Sequence, residues 1–564
     1  MCYAKRVDFT FTYWLAELWR RELETGELGE KHSKYFISWP VLALMSFVTV
    51  IGFDDLIYNF KNQGMGVITS WVLMLFLYVI PYSLMVGQLG SIFSKEGGGL
   101  SSWIRGTNGE FLGYFTAWTY WAASIPYVVD TANSVVVGLG WALNGNNKFQ
   151  ETMSNSHFAF WTLLVFVFFV VIQSRFKHSL ELLSSLGGIA MFGMTVLFVM
   201  MALGSLAVGG KIATQPFNLG AIIPKFDLKY LTTLGLLIYA VNGCELIAPF
   251  VTKMKHPQRE FPKSMIMLVV MTAFLTIFGS FSLGIFFNAH HLPYDLKMNG
   301  SYYAFQALGR QYHVGNLFMY LFAWTEVIYL AALLAVLLDA MTRMLISDTG
   351  EKFMPRFLRK TNHAGLPING YLLTCLLSGF ILFLGVFLPN MNDIFNWLLN
   401  LNGIISPGVT CWIFYAFMRV RKNSAVYPAA YVFIKNDRLA WWIGLWALTV
   451  TAVATVFGIA PQDVPAFSKL WWHELLINLI AIGVLIGLGM LLPLITKREK
   501  RDGEAFSRSQ WIGMTVIVLT TLIAMLYIGG SQFSGKGFLL TGVAAVSLSL
   551  LFRCTRKKTK KSRN

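Results

Sequence analysis

Four carboxylates stand where a chain this apolar has little reason to place them. Asp54 ends the string "GFD" (Gly52 to Asp54) and Glu245 ends "GCE" (Gly243 to Glu245), each two residues after a glycine and each inside an apolar stretch. Asp130 and Glu326 interrupt two further stretches. An ionisable group at bilayer depth costs on the order of 3 kcal/mol, so it must be offset by an interhelical contact, a proton, an ion or a charged ligand.

The glycines sharpen this reading. Without a Cβ, the backbone can leave the helix and a ligand can approach it closely. A break exposes unpaired N–H and C=O groups, and the N-terminal end of the half-helix that follows attracts negative charge. Asp54 and Glu245 therefore have two open roles. Each is a first-turn carboxylate stabilised by the helix dipole by roughly 0.3–1 kcal/mol, or a fixed charge that holds a substrate ammonium group or a coupling ion. Asp55 lies about 100° round the helix from Asp54, so only one of the two faces a pathway; Asp54 is favoured because it matches Glu245.

The elements that must position these groups are membrane helices. The 564 residues are 55% hydrophobic, 15% aromatic and only 13% charged, and the mean hydropathy is +0.57. That much apolar surface cannot be hidden in a water-facing globule. Apolar stretches of ~20 residues, the length needed to cross a ~30 Å hydrocarbon core, recur along the chain. Windows of this length predict fourteen spans, at 37–60, 66–93, 111–143, 157–174, 181–209, 229–251, 264–288, 314–346, 366–388, 393–418, 440–460, 473–495, 511–530 and 537–552. A net charge of +17 would suggest nucleic acid in a soluble protein. Here roughly four-fifths of the Lys and Arg fall in alternate loops, which sets a topology with both termini cytoplasmic and leaves nucleic acid out.

Residues 1–36 place Phe11, Trp14, Leu15 and Leu18 at helical spacing, as in an interfacial amphipathic helix. The five cysteines are scattered, and no His, Cys or carboxylate cluster has metal spacing, so neither a metal nor a cofactor is expected. "GSQFSGKG" (Gly530 to Gly537) nearly spells a phosphate loop but lacks the hydroxyl residue and the preceding strand. No nucleophile motif points to an enzyme. The loops are short, the longest being 289–313, 347–365 and 419–439, and the "NGS" at Asn299 lies in the first of these.

The glycine–acid strings are 191 residues apart, and Asp130 and Glu326 are 196 apart. Interrupted segments at corresponding places in two five-span halves point to an inverted-repeat transporter. The motifs around them resemble the amino acid–polyamine–organocation permeases. "KEGGGLSSW" (Lys95 to Trp103) is similar to that family's Glu-Gly-Gly turn. "YAVNGCELIAPFVTKMKHPQREFPKSM" (Tyr239 to Met265) resembles its Gly-x-Glu element and Asn-Pro-x-Arg-x-x-Pro signature, with His256 in place of Asn. "TRMLISDTGEKFMP" (Thr342 to Pro355) and "HAGLPING" (His363 to Gly370) resemble the exit of the eighth span and the start of the ninth. "LMVGQLGSIFSKEGGGLSSW" is closest in style to the bacterial glutamate/GABA antiporter branch. The resemblance covers roughly residues 37–495.

The resemblance implies an all-α polytopic protein with a 5+5 inverted-repeat core, discontinuous first and sixth spans and extra C-terminal spans. The expected division is a cytoplasmic N-terminal segment 1–36, repeats at 37–209 and 229–418, spans eleven and twelve at 440–495, two extra spans at 511–552 and a basic tail 553–564. It implies secondary active transport of amino acids or related amines across the plasma membrane by alternating access; a membrane sensor that binds without transport is the alternative. The substrate would sit against Val50, Ile51, Gly52, Phe53 and Asp54 on one span and Tyr239, Asn242, Gly243, Cys244 and Glu245 on the other, with Tyr127, Asp130 and Trp324 walling the cavity. Glu245, Asp130 and Glu326 are the expected coupling groups, for H+ in preference to Na+, or exchanged substrate supplies the drive.

Overall fold

Between Trp39 and Ile92 the chain is helical and apolar over 54 residues, yet a straight helix of that length would be roughly 80 Å long, more than twice a hydrocarbon core. In the computed structural model it is cut twice. The structure describes residues 36–96, 99–175, 179–207, 209–347, 349, 353–360, 367–386, 390–461, 465–489 and 491–500. The expected N-terminal amphipathic helix, the last two spans and the "GSQFSGKG" string lie outside the described residues.

The first span starts as Trp39–Val50, with Pro40 in the first turn, where its missing N–H costs nothing. Ile51 and Gly52 are extended, and helix resumes as Phe53–Gln63. At Gly64 a φ of 59° reverses the chain into the second span, which runs Val67–Met74, a π turn at Leu75–Val79, and Ile80–Ile92. The sixth span breaks as well. It is α-helical over Leu228–Tyr239, turns through Ala240 to Gly243, and continues as a 3₁₀ helix over Cys244–Lys253. Among the described residues every regular element is helical, and nine helical runs are long and apolar enough to cross a membrane, the first covering two expected spans.

Burial separates core from periphery. Of the most apolar window in each span, 89% is buried in the sixth and 83% in the third (Glu110–Asn144), but only 17% in the fourth and 28% in the eleventh (Asp437–Gly458). Phe160, Trp161 and Phe168 on the fourth are exposed, which suits a surface whose solvent is lipid. Tryptophans lock neighbours together: Trp71 donates to Ser280 Oγ on the seventh span (3.1 Å) and Trp121 to Thr374 Oγ1 on the ninth (3.2 Å).

The expected loop 289–313 is largely a helix, Leu296–Gln311, laid against the second half of the first span. A Cβ on Gly300 would come within 2.6 Å of Ile57. Asn299 is fully buried, accepting from Trp141 Nε1 (2.8 Å) and Gln150 (2.7 Å) and donating to Asp295 (2.9 Å). The "NGS" string is therefore an interior polar junction.

Gly243 is the tightest point of the sixth-span break. Its φ of 112° is left-handed, and a Cβ there would sit 2.3 Å from the Thr49 carbonyl oxygen at the end of the first half-span. Gly243→Ala should destabilise the protein by at least roughly 1–3 kcal/mol, the usual cost of such backbone strain, whereas Gly193→Ala, with open space around its Cβ, should be neutral. Thermal unfolding of the two detergent-purified variants measures the contrast, and equal midpoints would refute the close approach.

Candidate substrate and coupling site

The two breaks meet. Thr49 Oγ1 donates to the Gly243 carbonyl (3.1 Å), and Tyr329 on the eighth span (Leu317–Thr342) donates to the Val48 carbonyl (3.2 Å). Gly52 lies under the same tyrosine, 2.9 Å from its hydroxyl to a Cβ built there, so the glycine is needed for the approach. Carbonyls released by unwinding thus find hydroxyls, as they must where water is scarce.

Around the sixth-span break the partners come from three other spans. Glu245 accepts from the hydroxyls of Tyr82 on the second span and Tyr120 on the third. Tyr82 also receives the Gly243 N–H (3.1 Å). Asn242 accepts from Tyr78 and donates to Ser406 (3.1 Å) and Thr410 (2.9 Å) on the tenth span (Met391–Lys422). Glu245 is a buried carboxylate with a donor on each oxygen, held in place by two phenols. Tyr78 and Tyr82 sit one helical turn apart on the second span, so one face of it serves both Asn242 and Glu245.

Beside the clamp is a cavity of about 30 Å³ walled by Tyr120, Tyr127, Tyr239, Asn242, Asn402 and Ser406 among others. That is room for a water molecule, so an amino acid enters only if the walls part. The structure brings Tyr127, Tyr239, Asn242 and Gly243 together there. Val50, Ile51, Phe53 and Cys244 are packed in the core around the breaks. Trp324 is 48% exposed and does not line this cavity.

The acids of the first span divide their roles. Asp55, at the third position of the new half-helix, accepts the Gly52 N–H (2.8 Å), which is the half of a capping box that a glycine N-cap allows. Asp54, the neighbour favoured by the comparison between halves, turns to the helix Leu296–Gln311 and the eighth span. It accepts from Ser301, and the carboxyl of Glu326 lies beside it, within electrostatic reach. Asp130, 4% exposed, lies within electrostatic reach of both Asp54 and Asp55, and its Oδ1 has no hydrogen-bond partner. Glu326 is 1% exposed, and no N–H or hydroxyl donor reaches its Oε2. None of the four pairs with a lysine or arginine among the described residues. Like charges gathered in this way repel one another unless a proton, an ion or a charged ligand joins them.

A family profile described as amino acid permease matches residues 37–486. The chain belongs to the amino acid permease family. It is a multi-pass membrane transporter of the wider superfamily that its motifs resemble, and not an enzyme. It is 39% identical over 474 residues to an aspartate/glutamate permease of Lactococcus lactis, a match that covers 83% of this chain and 97% of that one. A probable agmatine/putrescine antiporter of the same species is 22% identical, covering 74% and 87%. A glutamate/gamma-aminobutyrate antiporter from it is 24% identical, covering 52% and 57%. Amino acid transport is thus the family's activity, and exchange occurs among its relatives.

The clamp makes a prediction. Tyr82→Phe or Tyr120→Phe strips one donor from a buried carboxylate and should cost roughly 1–3 kcal/mol each. Glu245→Gln, which can still bond both phenols, should keep most of the stability. A Glu245→Gln protein as unstable as the double phenylalanine variant in thermal unfolding would show that charge rather than hydrogen bonding holds the junction.

Proposed function

We propose that this permease carries a dicarboxylic amino acid together with H+ across the plasma membrane by alternating access, with both termini cytoplasmic. The observation that carries the proposal is the cluster of Asp54, Asp55, Asp130 and Glu326 without a basic partner among the described residues, in a chain 39% identical to an aspartate/glutamate permease. An ionised cluster repels an anionic substrate. Each proton that binds removes one negative charge and supplies one O–H donor, so proton binding favours substrate binding.

The frame for this is a 5+5 inverted repeat, residues 37–209 and 229–418. Three matched features support it: the breaks at Gly52 and Gly243, the acids of the third and eighth spans, and π turns at Leu75–Val79 and Leu275–Gly279, 200 residues apart in the second and seventh spans. Substrate binds between the breaks, its backbone-like carboxylate and amine against the groups freed there, and Tyr127, Tyr239 and Asn402 close over it. Asn242 and Glu245 hold the sixth-span break in shape.

Coupling runs through Asp54 and Glu326. With one proton shared, the pair joins the half-helix Phe53–Gln63 to the eighth span, and Ser301 joins it to the helix Leu296–Gln311, which closes the outer side. Loss of the proton leaves two like charges in contact, which drives these elements apart and opens it. Asp130, unpartnered at Oδ1, is the next acceptor inward.

In proteoliposomes, uphill uptake of labelled aspartate or glutamate should rise as the outer pH falls. Asp54→Asn and Glu326→Gln should lose accumulation driven by a pH gradient at least tenfold while retaining counterflow. Unchanged gradient-driven uptake in both variants sinks the coupling assignment. Obligate exchange, the activity named for two of the relatives, is indicated instead if net uptake fails in the wild type while counterflow persists. Binding with neither flux identifies a sensor.

A further inference from the structure

A second cavity, about 550 Å³, lies where the tenth span ends and the eleventh begins, remote from the breaks. Its wall includes Arg419, Arg421, Lys422 and Arg438 and a single carboxylate, Asp437. That carboxylate is already used: it takes Arg421 (2.9 Å) on one oxygen and the Ser424 hydroxyl (2.7 Å) on the other. Arg421 is 4% exposed, and its remaining contact is the Ile434 carbonyl. The Nε–H groups of Arg419 and Arg421 are both buried without an acceptor.

Buried guanidinium donors without acceptors are rare, because each keeps its full desolvation penalty. Here they sit in a cavity that carries an excess of three positive charges and is roomy enough for a phosphate group. The rim is apolar and aromatic. Trp441 and Trp442 pack edge to face with ring centres 5.2 Å apart, and Trp442 and Leu439 are 61% and 52% exposed. Paired tryptophans beside arginines are what a lipid interface asks for: rings at headgroup depth, cations toward phosphate.

We infer that this cavity binds the phosphate headgroup of an anionic phospholipid, with Arg419, Lys422 and Arg438 on the headgroup and Trp442 with Leu439 against the acyl chains. Arg421, tied to Asp437, shapes the floor. The loop 419–439 is on the side where basic residues accumulate, the leaflet face where anionic lipid attracts them. The tenth span that ends in this pocket also carries Asn402, Ser406 and Thr410 of the break junction, so lipid here braces one wall of the substrate cavity.

The test uses the full-length protein in detergent, titrated with phosphatidylglycerol, phosphatidylcholine or inorganic phosphate and followed by thermal shift and native mass spectrometry. Phosphatidylglycerol should raise the midpoint and remain bound, while phosphatidylcholine and phosphate should do neither. In Arg419→Gln, Lys422→Gln and Arg438→Gln the lipid should bind about fivefold more weakly for each cation removed. All three variants keep the Arg421–Asp437 pair, so their lipid-free midpoints should match the wild type. Equal stabilisation by inorganic phosphate would overturn the lipid assignment in favour of a soluble anion. Equal stabilisation by phosphatidylcholine, or unweakened phosphatidylglycerol binding in the triple variant, would overturn the site.

Discussion

A helix interrupted inside a bilayer must find new partners for every backbone group it releases, because lipid offers none. The rest of this molecule is arranged around that constraint. Ile51 and Gly52 leave the helix, and so do the residues from Ala240 to Gly243. Their polar groups are met by Thr49, Asp55, Tyr82 and Tyr329. Each of the tyrosines belongs to a different span, so satisfying two short breaks also fixes how the second and eighth spans stand against the first and sixth. Glu245 and Asn242 extend the same logic to the third and tenth. The deep burial of the sixth span follows from this central position.

The two breaks are held with different strength. At the sixth, a carboxylate with two phenol donors and an amide with three partners bind four spans into one junction. At the first, the outer half-helix rests on the Asp54 contacts with Ser301 and Glu326 and on Lys61, which donates to the carbonyls of Leu292 (3.3 Å) and Pro293 (2.6 Å). In the first set each carboxylate oxygen has a donor; the second brings two carboxyls together with Ser301 as the donor to Asp54. Such an unequal division suits the alternating access proposed above, in which one side opens while the centre holds.

Much of this was legible in the sequence because it depends on local pattern. Apolar runs of bilayer length located the helices, and a glycine two residues before an acid marked both breaks. What escaped was set by distant contacts. Asp54 and Asp55 are adjacent and chemically alike; the third position of the half-helix, not the residue type, decides which one caps Gly52. Tyr78, Tyr82 and Tyr120 look like ordinary aromatics in apolar spans until Glu245 is brought among them. Ser301 lies in a segment that reads as a polar loop, and its value comes from the helix Leu296–Gln311 that lays it over Asp54. Trp324 fails for the opposite reason: two residues from Glu326, it lies on a helix face about 200° round from it and therefore outward.

An acidic cluster is at first sight the wrong lining for a permease related to one that takes aspartate and glutamate. With four carboxyls in a low dielectric and no arginine or lysine paired with them among the described residues, no fixed cation offsets their mutual repulsion. Under the proposed symport the same repulsion would disfavour an anionic substrate at the deprotonated site, and each proton bound would lessen it. Coupling would then need no dedicated relay, because substrate and proton would favour each other's binding through the charge balance of one buried space, and such linkage is reciprocal. A fixed arginine would bind a substrate carboxylate more tightly but would weaken that dependence on the proton, so the proposed coupling rests on the lack of a basic partner for these acids among the described residues.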